Sequence, residues 1–344
     1  MRKVLLSCVV WGLFLLASTI HAFPLIPPPP ILGLQVLDPI DIPKNGAGFG
    51  YSLAVGDLNG DQHDDIVVGV PFYDETLAEG GSLNDLGRVY VYNGAGGCLL
   101  KVIYYPGTGL GAKFGTSVAI GDFNGDGFKD IIVGVPEDDT STNEDVGKVY
   151  VFWGPTFDTF LTIEKPGVGQ DLAHFGFSVS AGDTDGDGVS EIAVGAPGED
   201  VGALANQGKA YHFKYDASAT NSVLSNELDP GVSQTNLYFG WAVAIGDITG
   251  NGKGDPIVGA PGFNVGGSTE VGAVYYFDLT TPSPYSPVQV VKPMAPEGGA
   301  HFGSAIAAGR VYGDPNVDII VGAPDENYNP SKNNIGVVYV IDRT

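Results

Sequence analysis

The sequence predicts an all-β fold: a β-propeller of five four-stranded antiparallel blades, closed by its own N-terminal strand. Three observations predict it. A Phe-Gly pair followed by an apolar stretch recurs at Phe49-Gly50, Phe114-Gly115, Phe175-Gly176, Phe239-Gly240 and Phe302-Gly303, in steps of 65, 61, 64 and 63 residues. Each copy continues through a polar loop and an apolar run to Gly-x-Pro, at Gly69-Val70-Pro71, Gly134-Val135-Pro136, Gly195-Ala196-Pro197, Gly259-Ala260-Pro261 and Gly322-Ala323-Pro324. Composition agrees, since 52 Gly punctuate a 344-residue chain that holds 33 Tyr and Phe but 2 Met. Such chains favour short strands and many turns. A repeat of this length with four strands per copy is a propeller blade and not a solenoid coil.

Residues 1–22 read as a secretory signal peptide. Arg2 and Lys3 precede an apolar stretch from Val4 to Ile20, and the small Ala22 marks the cleavage point. An uncleaved anchor is the alternative, because the apolar run is near the lower length for a span. No later segment is long and apolar enough to cross a membrane, so no span is expected after cleavage. Residues 23–31 form a Pro-rich spacer, stiff and extended through Pro27 to Pro30. The propeller is expected over 32–344.

In the first copy, strands are expected at 50–55, 66–70, 88–92 and 99–105, each short, rich in β-branched and aromatic residues, and bounded by turn formers. The last copy reaches Thr344 just after its third strand. Leu32 to Ile40, ahead of the first Phe-Gly, is expected to supply the missing outer strand and leave no unpaired edge at the seam.

Cleavage removes Cys8 and leaves Cys98 alone, so no internal disulfide holds the mature chain. Cys98 reads as a small buried hydrophobe. Net charge is −24 at pH 7. That surface repels nucleic acid and anionic lipid, which excludes both as partners.

Many of the acids follow a pattern. Between the first and second strands of each blade lies a nine-residue loop, and in the first four copies oxygen side chains stand at positions 1, 3, 5 and 9. The first loop offers Asp57, Asn59, Asp61 and Asp65, with His63 at position 7. The second offers Asp122, Asn124, Asp126 and Asp130, with Phe128 at position 7. The third offers Asp183, Asp185, Asp187 and Glu191, with Val189 at position 7. Position 7 enters through its backbone carbonyl. Ca²⁺ takes six to eight oxygens at about 2.3–2.6 Å, and a tight loop with Gly at positions 4 and 6 can wrap them around one point. The fourth loop is weaker, with Asp247, Thr249, Asn251 and Asp255. The fifth has Arg310 at position 1 and is expected to hold no metal, Arg310 pairing instead with Asp314 or Asp318. Three Ca²⁺ sites and a fourth weak one are therefore expected.

Phe-Gly, then Asp-x-Asn-x-Asp-Gly-x-x-Asp, then Gly-Ala-Pro resembles the FG-GAP repeat. It is similar to the N-terminal β-propeller of integrin α chains and to the repeats of glycosylphosphatidylinositol-specific phospholipase D. The resemblance implies Ca²⁺ hairpins on one face of the propeller and ligand contacts on the other. Integrin propellers have seven blades, where five copies are found here, and integrin α chains continue into further domains and a membrane span.

Two binding functions and one enzymatic function compete. The first is a secreted adhesion or protein-recognition module. Its ligand, an extracellular protein or glycan, would meet the loops that follow Gly-x-Pro and precede Phe-Gly, opposite the Ca²⁺ loops. The second is a calcium-stabilised lectin, with Tyr238 and Trp241 as stacking candidates. The third is an extracellular hydrolase, but no Gly-x-Ser-x-Gly, His-Glu-x-x-His or Cys-His pairing is present. His174 and His301 each precede a Phe-Gly, which marks a structural position. The protein is read as a non-enzyme, extracellular, or periplasmic or cell-surface if bacterial. Lys253-Gly254-Asp255 looks like an adhesion tripeptide, but Asp255 is position 9 of the fourth loop and should face inward.

Overall fold

A computed structural model describes residues 37, 46–76, 82–216, 218, 222–280, 285–293, 297–312, 316–327 and 335–342. The signal peptide, the spacer and the closing strand expected at Leu32 to Ile40 lie outside the described residues, Leu37 apart.

Every described element is a strand. Blade one holds β1 (Ser52–Gly56), β2 (Asp65–Val70), a small hairpin of β3 (Glu75–Thr76) and β4 (Ser82–Leu83), β5 (Arg88–Tyr92) and β6 (Leu99–Tyr104). Blade two is β7 (Ser117–Gly121), β8 (Asp130–Val135), β9 (Lys148–Phe152) and β10 (Phe160–Glu164). Blade three is β11 (Ser178–Gly182), β12 (Glu191–Ala196), β13 (Lys209–Asp216) and β14 (Ser222–Leu228). Blade four is β15 (Val243–Gly246), β16 (Asp255–Ala260), β17 (Ala273–Tyr276) and β18 (Gln289–Val291). Blade five is β19 (Ala305–Gly309), β20 (Asp318–Ala323) and β21 (Val337–Ile341), three strands among the described residues. Each blade is an antiparallel meander, and the five form a β-propeller.

The second strands β8, β12 and β16 are buried along their whole length. That explains why they read as unbroken apolar runs and not as alternation. Neighbouring blades pack through their first strands: β1 on β7, β7 on β11, β11 on β15, and β15 on β19. The cores lie between blades. Val67, Val89 and Ile103 of blade one meet Phe114, Val133 and Tyr150 of blade two, and the later junctions repeat this. Phe114, Phe175, Phe239 and Phe302 are fully buried. Each lies edge-on to an aromatic of its own blade's third strand, as in Phe175 on Tyr211 and Phe239 on Tyr275. Burying one such ring stabilises by roughly 2–3 kcal/mol.

The repeat motif is the interlock between blades. The Gly176 amide donates to the Gly195 carbonyl of its own blade at 3.0 Å. The Gly176 carbonyl lies against Gly134 of the preceding blade and accepts a 2.8 Å hydrogen bond from Ser117 Oγ. Ser52 to Gly115 and Ser178 to Gly240 repeat the bond at 2.8 and 2.9 Å. A Cβ placed on Gly69, Gly134, Gly195 or Gly259 would stand 1.9–2.1 Å from the next blade's Phe-Gly carbonyl. Only glycine fits there, which is why the Gly-x-Pro of blades one to four begins with it. Gly322 of blade five meets only Ala305 of its own blade at that point. Leu53 and Val55 on β1, 63% and 67% exposed, and Val338 on β21, 70% exposed, face solvent where their counterparts at other junctions are covered.

A second device staples blades together by charge. Two residues past the Pro of Gly-x-Pro stands a buried acid in blades two, three and five. Asp138 accepts from Tyr105 of blade one at 2.8 Å and from Lys148 at 2.9 Å. Glu199 accepts from Tyr211 at 2.7 Å and from Lys165 of blade two at 3.0 Å. Glu326 accepts from Tyr339. Burial, then the neighbouring carboxylates, hold the Tyr105 and Tyr211 hydroxyls well above the usual phenol range, so they stay donors.

The expectation for Cys98 is corrected. Cys98 is exposed in the β5–β6 turn, where its carbonyl closes the turn on the Asn93 amide at 2.8 Å. A turn residue at a hairpin tip has no neighbouring blade to cover it. The repeat position of His174 and His301 holds: Lys113, His174, Tyr238 and His301, each before a Phe-Gly, have φ of 58°, 54°, 54° and 53°.

Candidate functional site

The four acidic loops join the first and second strands of blades one to four, and one hydrogen-bond ladder shapes three of them. In the second loop, Asp122 Oδ1 accepts from the Gly125 amide at 2.8 Å and Oδ2 from the Gly127 amide at 2.9 Å. Asn124 Oδ1 accepts from the Asp126 amide at 3.0 Å, and Asp126 Oδ1 from the Phe128 amide at 2.9 Å. Asp130 accepts from the Phe123 and Gly154 amides at 2.8 and 2.9 Å. The first loop repeats this with Asp57 on Gly60 and Gln62, Asn59 on Asp61, Asp61 on His63, and Asp65 on Leu58 and Gly94. The third does so with Asp183 on Gly186 and Gly188, Asp185 on Asp187, and Asp187 on Val189. Positions 1, 3 and 5 thus turn toward one point, while positions 4 and 6 hold positive φ, as at Gly125 (73°) and Gly127 (90°).

His63 is exposed and its ring rests on Asp61, and Phe128 is half exposed. Phe128 and Val189 carry no side-chain donor, so each could serve a cation only through its backbone carbonyl. The fourth loop departs. Asp247 accepts from Asn251 and Gly252, but Asp255 takes the amide of Thr249 in place of the position 2 amide. The Thr249 hydroxyl is buried with no hydrogen-bond partner. Asp255 is indeed turned inward, 1% exposed, so Lys253-Gly254-Asp255 is no accessible tripeptide. In the fifth loop Asp318 accepts from the Val311 amide at 2.8 Å and does not reach Arg310, which is exposed; Asp314 lies outside the described residues.

The donor set fits a hard divalent cation. Asp183, Asp185 and Asp187 each bring a carboxylate oxygen within 4.8 Å of the others. Glu191, 1% exposed, spends Oε2 on the Thr184 amide and hydroxyl, while Oε1 is buried without a hydrogen bond. Burial pushes Asp130 and Asp255 up to about 6 and raises Glu191. His212 on β13, whose Nε2 lies 2.9 Å from Thr184 Oγ1, is pushed down to about 4 by burial and stays neutral.

Sequence spacing missed the third-strand residues that overhang these loops. Asn93 donates to Asp61 at 3.1 Å, and Lys214 bonds Asp185 and Asp187. They lie 27–32 residues downstream of their partners, beyond any local motif. The signal was available only by aligning the copies just after the aromatic pair of each third strand.

At the other end of the strands, blades one to four converge on a cup of about 290 Å³. Its wall includes Tyr51, Phe72, Phe177, Tyr238 and Trp241, with Lys113, Glu137, His174, Thr116 and Asn206 as its charged and polar members. Trp241 packs on Phe177 at 4.8 Å and on Tyr238 at 5.9 Å. Lys113 pairs with Glu137 and lies 5.7 Å over Phe72. These residues flank Phe-Gly or follow Gly-x-Pro, so the interlock that joins the blades also builds the cup.

The FG-GAP repeat family matches at residues 49–92, 114–152, 175–213 and 239–277. This chain is an FG-GAP repeat protein, similar to integrin alpha chains. Integrin alpha-5 of Xenopus laevis is 35% identical over 224 residues, 62% of this chain and 20% of that one. Integrin alpha-PS5 of Drosophila melanogaster is 32% identical over 67% of this chain and 22% of its own, and integrin alpha-V of Gallus gallus 33% over 62% and 20%. The FG-GAP chain spans about a fifth of the length of these relatives. Among solved structures, a rhamnogalacturonan lyase of Bacillus licheniformis aligns over 78% of this chain and 46% of its own, at 14% identity and a TM-score of 0.41, too distant to bear on function.

Proposed function

We propose that this FG-GAP protein is an extracellular recognition module that binds a protein ligand in the aromatic cup and is held rigid by Ca²⁺ in its acidic loops. The cup carries the reading. It is concave, walled by five aromatic rings and set on four interlocked blades, so a ligand would pay little to order it. Ca²⁺ would be held by Asp57, Asn59, Asp61 and Asp65, by Asp122, Asn124, Asp126 and Asp130, and by Asp183, Asp185, Asp187 and Glu191. Asp247, Thr249, Asn251 and Asp255 form a weaker set, since the Thr249 amide already occupies Asp255. The secretory leader expected at residues 1–22 and the resemblance to integrin alpha chains support an extracellular setting. A calcium-stabilised lectin is the second reading, favoured by the rings of Trp241 and Tyr238 beside the polar Glu137 and His174, a set suited to stacking a sugar and bonding its hydroxyls.

The test is a binding screen of the mature protein against immobilised matrix proteins and a glycan array. Trp241→Ala combined with Phe177→Ala is expected to weaken any specific binding at least about tenfold, the loss of one hot-spot anchor. Binding unchanged by the double substitution would place recognition elsewhere. A sugar hit with no protein hit would select the lectin.

Calcium is expected to raise Tm, and chelation to reverse it. Saturation at 100 times Kd adds about 2.7 kcal/mol per site. An identical melt in Ca²⁺ and in chelator would remove calcium from this proposal.

A further inference from the structure

By count of carboxylates, the third loop should be the strongest of the four Ca²⁺ loops, with four acids against three in each of the first two. The structure places a cation of the chain's own inside it. Lys214 rises from β13 beside the loop, and its Nζ bonds Asp185, bonds Asp187 at 2.7 Å, and stands 3.4 Å from Glu191 Oε1. Those three oxygens belong to positions 3, 5 and 9. The ammonium therefore touches three of the four ligand positions at once. No other acidic loop is arranged this way among the described residues. The same overhanging place holds Asn93 in blade one, a neutral donor to Asp61 alone, and Trp153 in blade two, which stacks on Phe123 at 6.4 Å.

We propose that Lys214 is the resident cation of the third loop, a built-in competitor that makes this the weakest of the three acid-rich sites for Ca²⁺. The argument rests on the calcium reading of the loops above. The donors at positions 3, 5 and 9 cannot serve an ammonium and a metal together, because both need the same lone pairs. Calcium must displace Nζ before it binds, and the displaced charge, tethered to β13, stays close to the metal and repels it. Glu191 Oε1 supports the assignment independently. It is a fully buried carboxylate oxygen with no hydrogen bond, aimed at the point where Nζ stands. A buried charge persists when a counter-charge faces it, and Lys214 is that charge. Lysine suits the role, since a flexible stem and a compact ammonium let it fill a metal-sized space and also leave it. The third blade would then keep its acidic loop compact at low calcium, while the first two loops depend on the metal.

Isothermal titration of the mature protein with CaCl₂ tests this, on wild type, Lys214→Met, Lys214→Gln and Lys214→Met/Asp183→Asn. Lys214→Met is expected to tighten one Ca²⁺ site by tenfold or more, or to add a site. Lys214→Gln should do so to a smaller extent, and Asp183→Asn should abolish the gain. Melting in chelator is expected to move the other way, with Lys214→Met below wild type, because four acids then face one another without a cation. If the titration of both Lys214 variants matches wild type while the first two loops still bind, the proposal is overturned and the calcium reading stands. If no variant binds Ca²⁺ at all, the calcium reading falls and this inference with it.

Discussion

Gly195→Ala is expected to destabilise the propeller by about 3 kcal/mol or more, at the top of the range for overpacked interiors. The added methyl would lie 1.9 Å from the Gly240 carbonyl oxygen and 2.5 Å from Ser178 Oγ. Neither neighbour can yield cheaply. The Gly240 carbonyl accepts the Ser178 hydroxyl at 2.9 Å, and the Gly240 amide is tied to the Gly259 carbonyl at 3.0 Å. Moving the backbone of blade four away would open the junction that buries Phe239. Denaturant unfolding monitored by tryptophan fluorescence checks this, with Gly309→Ala as the control. Nothing lies within 4 Å of a methyl on Gly309, so that change should stay within about 1 kcal/mol. Equal stability of the two variants would show that the Gly-x-Pro glycine is not required by the blade contact.

Glu199→Ala is expected to cost about 3–5 kcal/mol, the loss typical of removing one partner of a buried ion pair. The side chains of Lys165 and Glu199 are 3% and 6% exposed. Without the carboxylate, Lys165 keeps only the Pro166 carbonyl at 3.2 Å, and the Tyr211 hydroxyl loses its 2.7 Å acceptor. Glu199→Gln should be milder, since the amide oxygen can still accept from Tyr211 while the charge is gone. The same unfolding measurement separates them. A loss below 1 kcal/mol for Glu199→Ala would mean that Lys165 escapes to water and that the staple between blades two and three adds little.

These two positions differ in how legible they were. Gly195 belongs to the tripeptide that announced the repeat, so its importance could be read from recurrence, though not its cause. Glu199 could not. The acid two residues beyond the Pro appears as Asp138, Glu199 and Glu326, but blades one and four carry Tyr73 and Phe263 there, and the pattern breaks. The cation hydrogen-bonded to Glu199 is Lys165, 34 residues upstream on another blade, with Lys209 of its own blade farther off at 3.6 Å. The acidic loops were legible for the opposite reason. Nine consecutive residues hold most of their hydrogen-bond ladder, the amides of Gly94 and Gly154 on Asp65 and Asp130 being the exceptions, so local spacing encodes most of their geometry. Lys214 was missed because it reaches that geometry from across the sheet.

Period and local chemistry were therefore enough to establish five copies, the order of strands, the blade as the unit and the acidic loops with positions 1, 3 and 5 turned together. Each of these depends on contacts within a few residues or on a strand pairing with its neighbour in sequence. Two matters depended on the strands being packed: the meeting of Tyr51, Phe72, Phe177, Tyr238 and Trp241 in one cup, and the entry of Lys214 into the third loop. Both are set by side chains from separate strands or separate blades. No one-dimensional spacing carries such distances, because they arise only when backbones close to within a glycine's width bring those strands together.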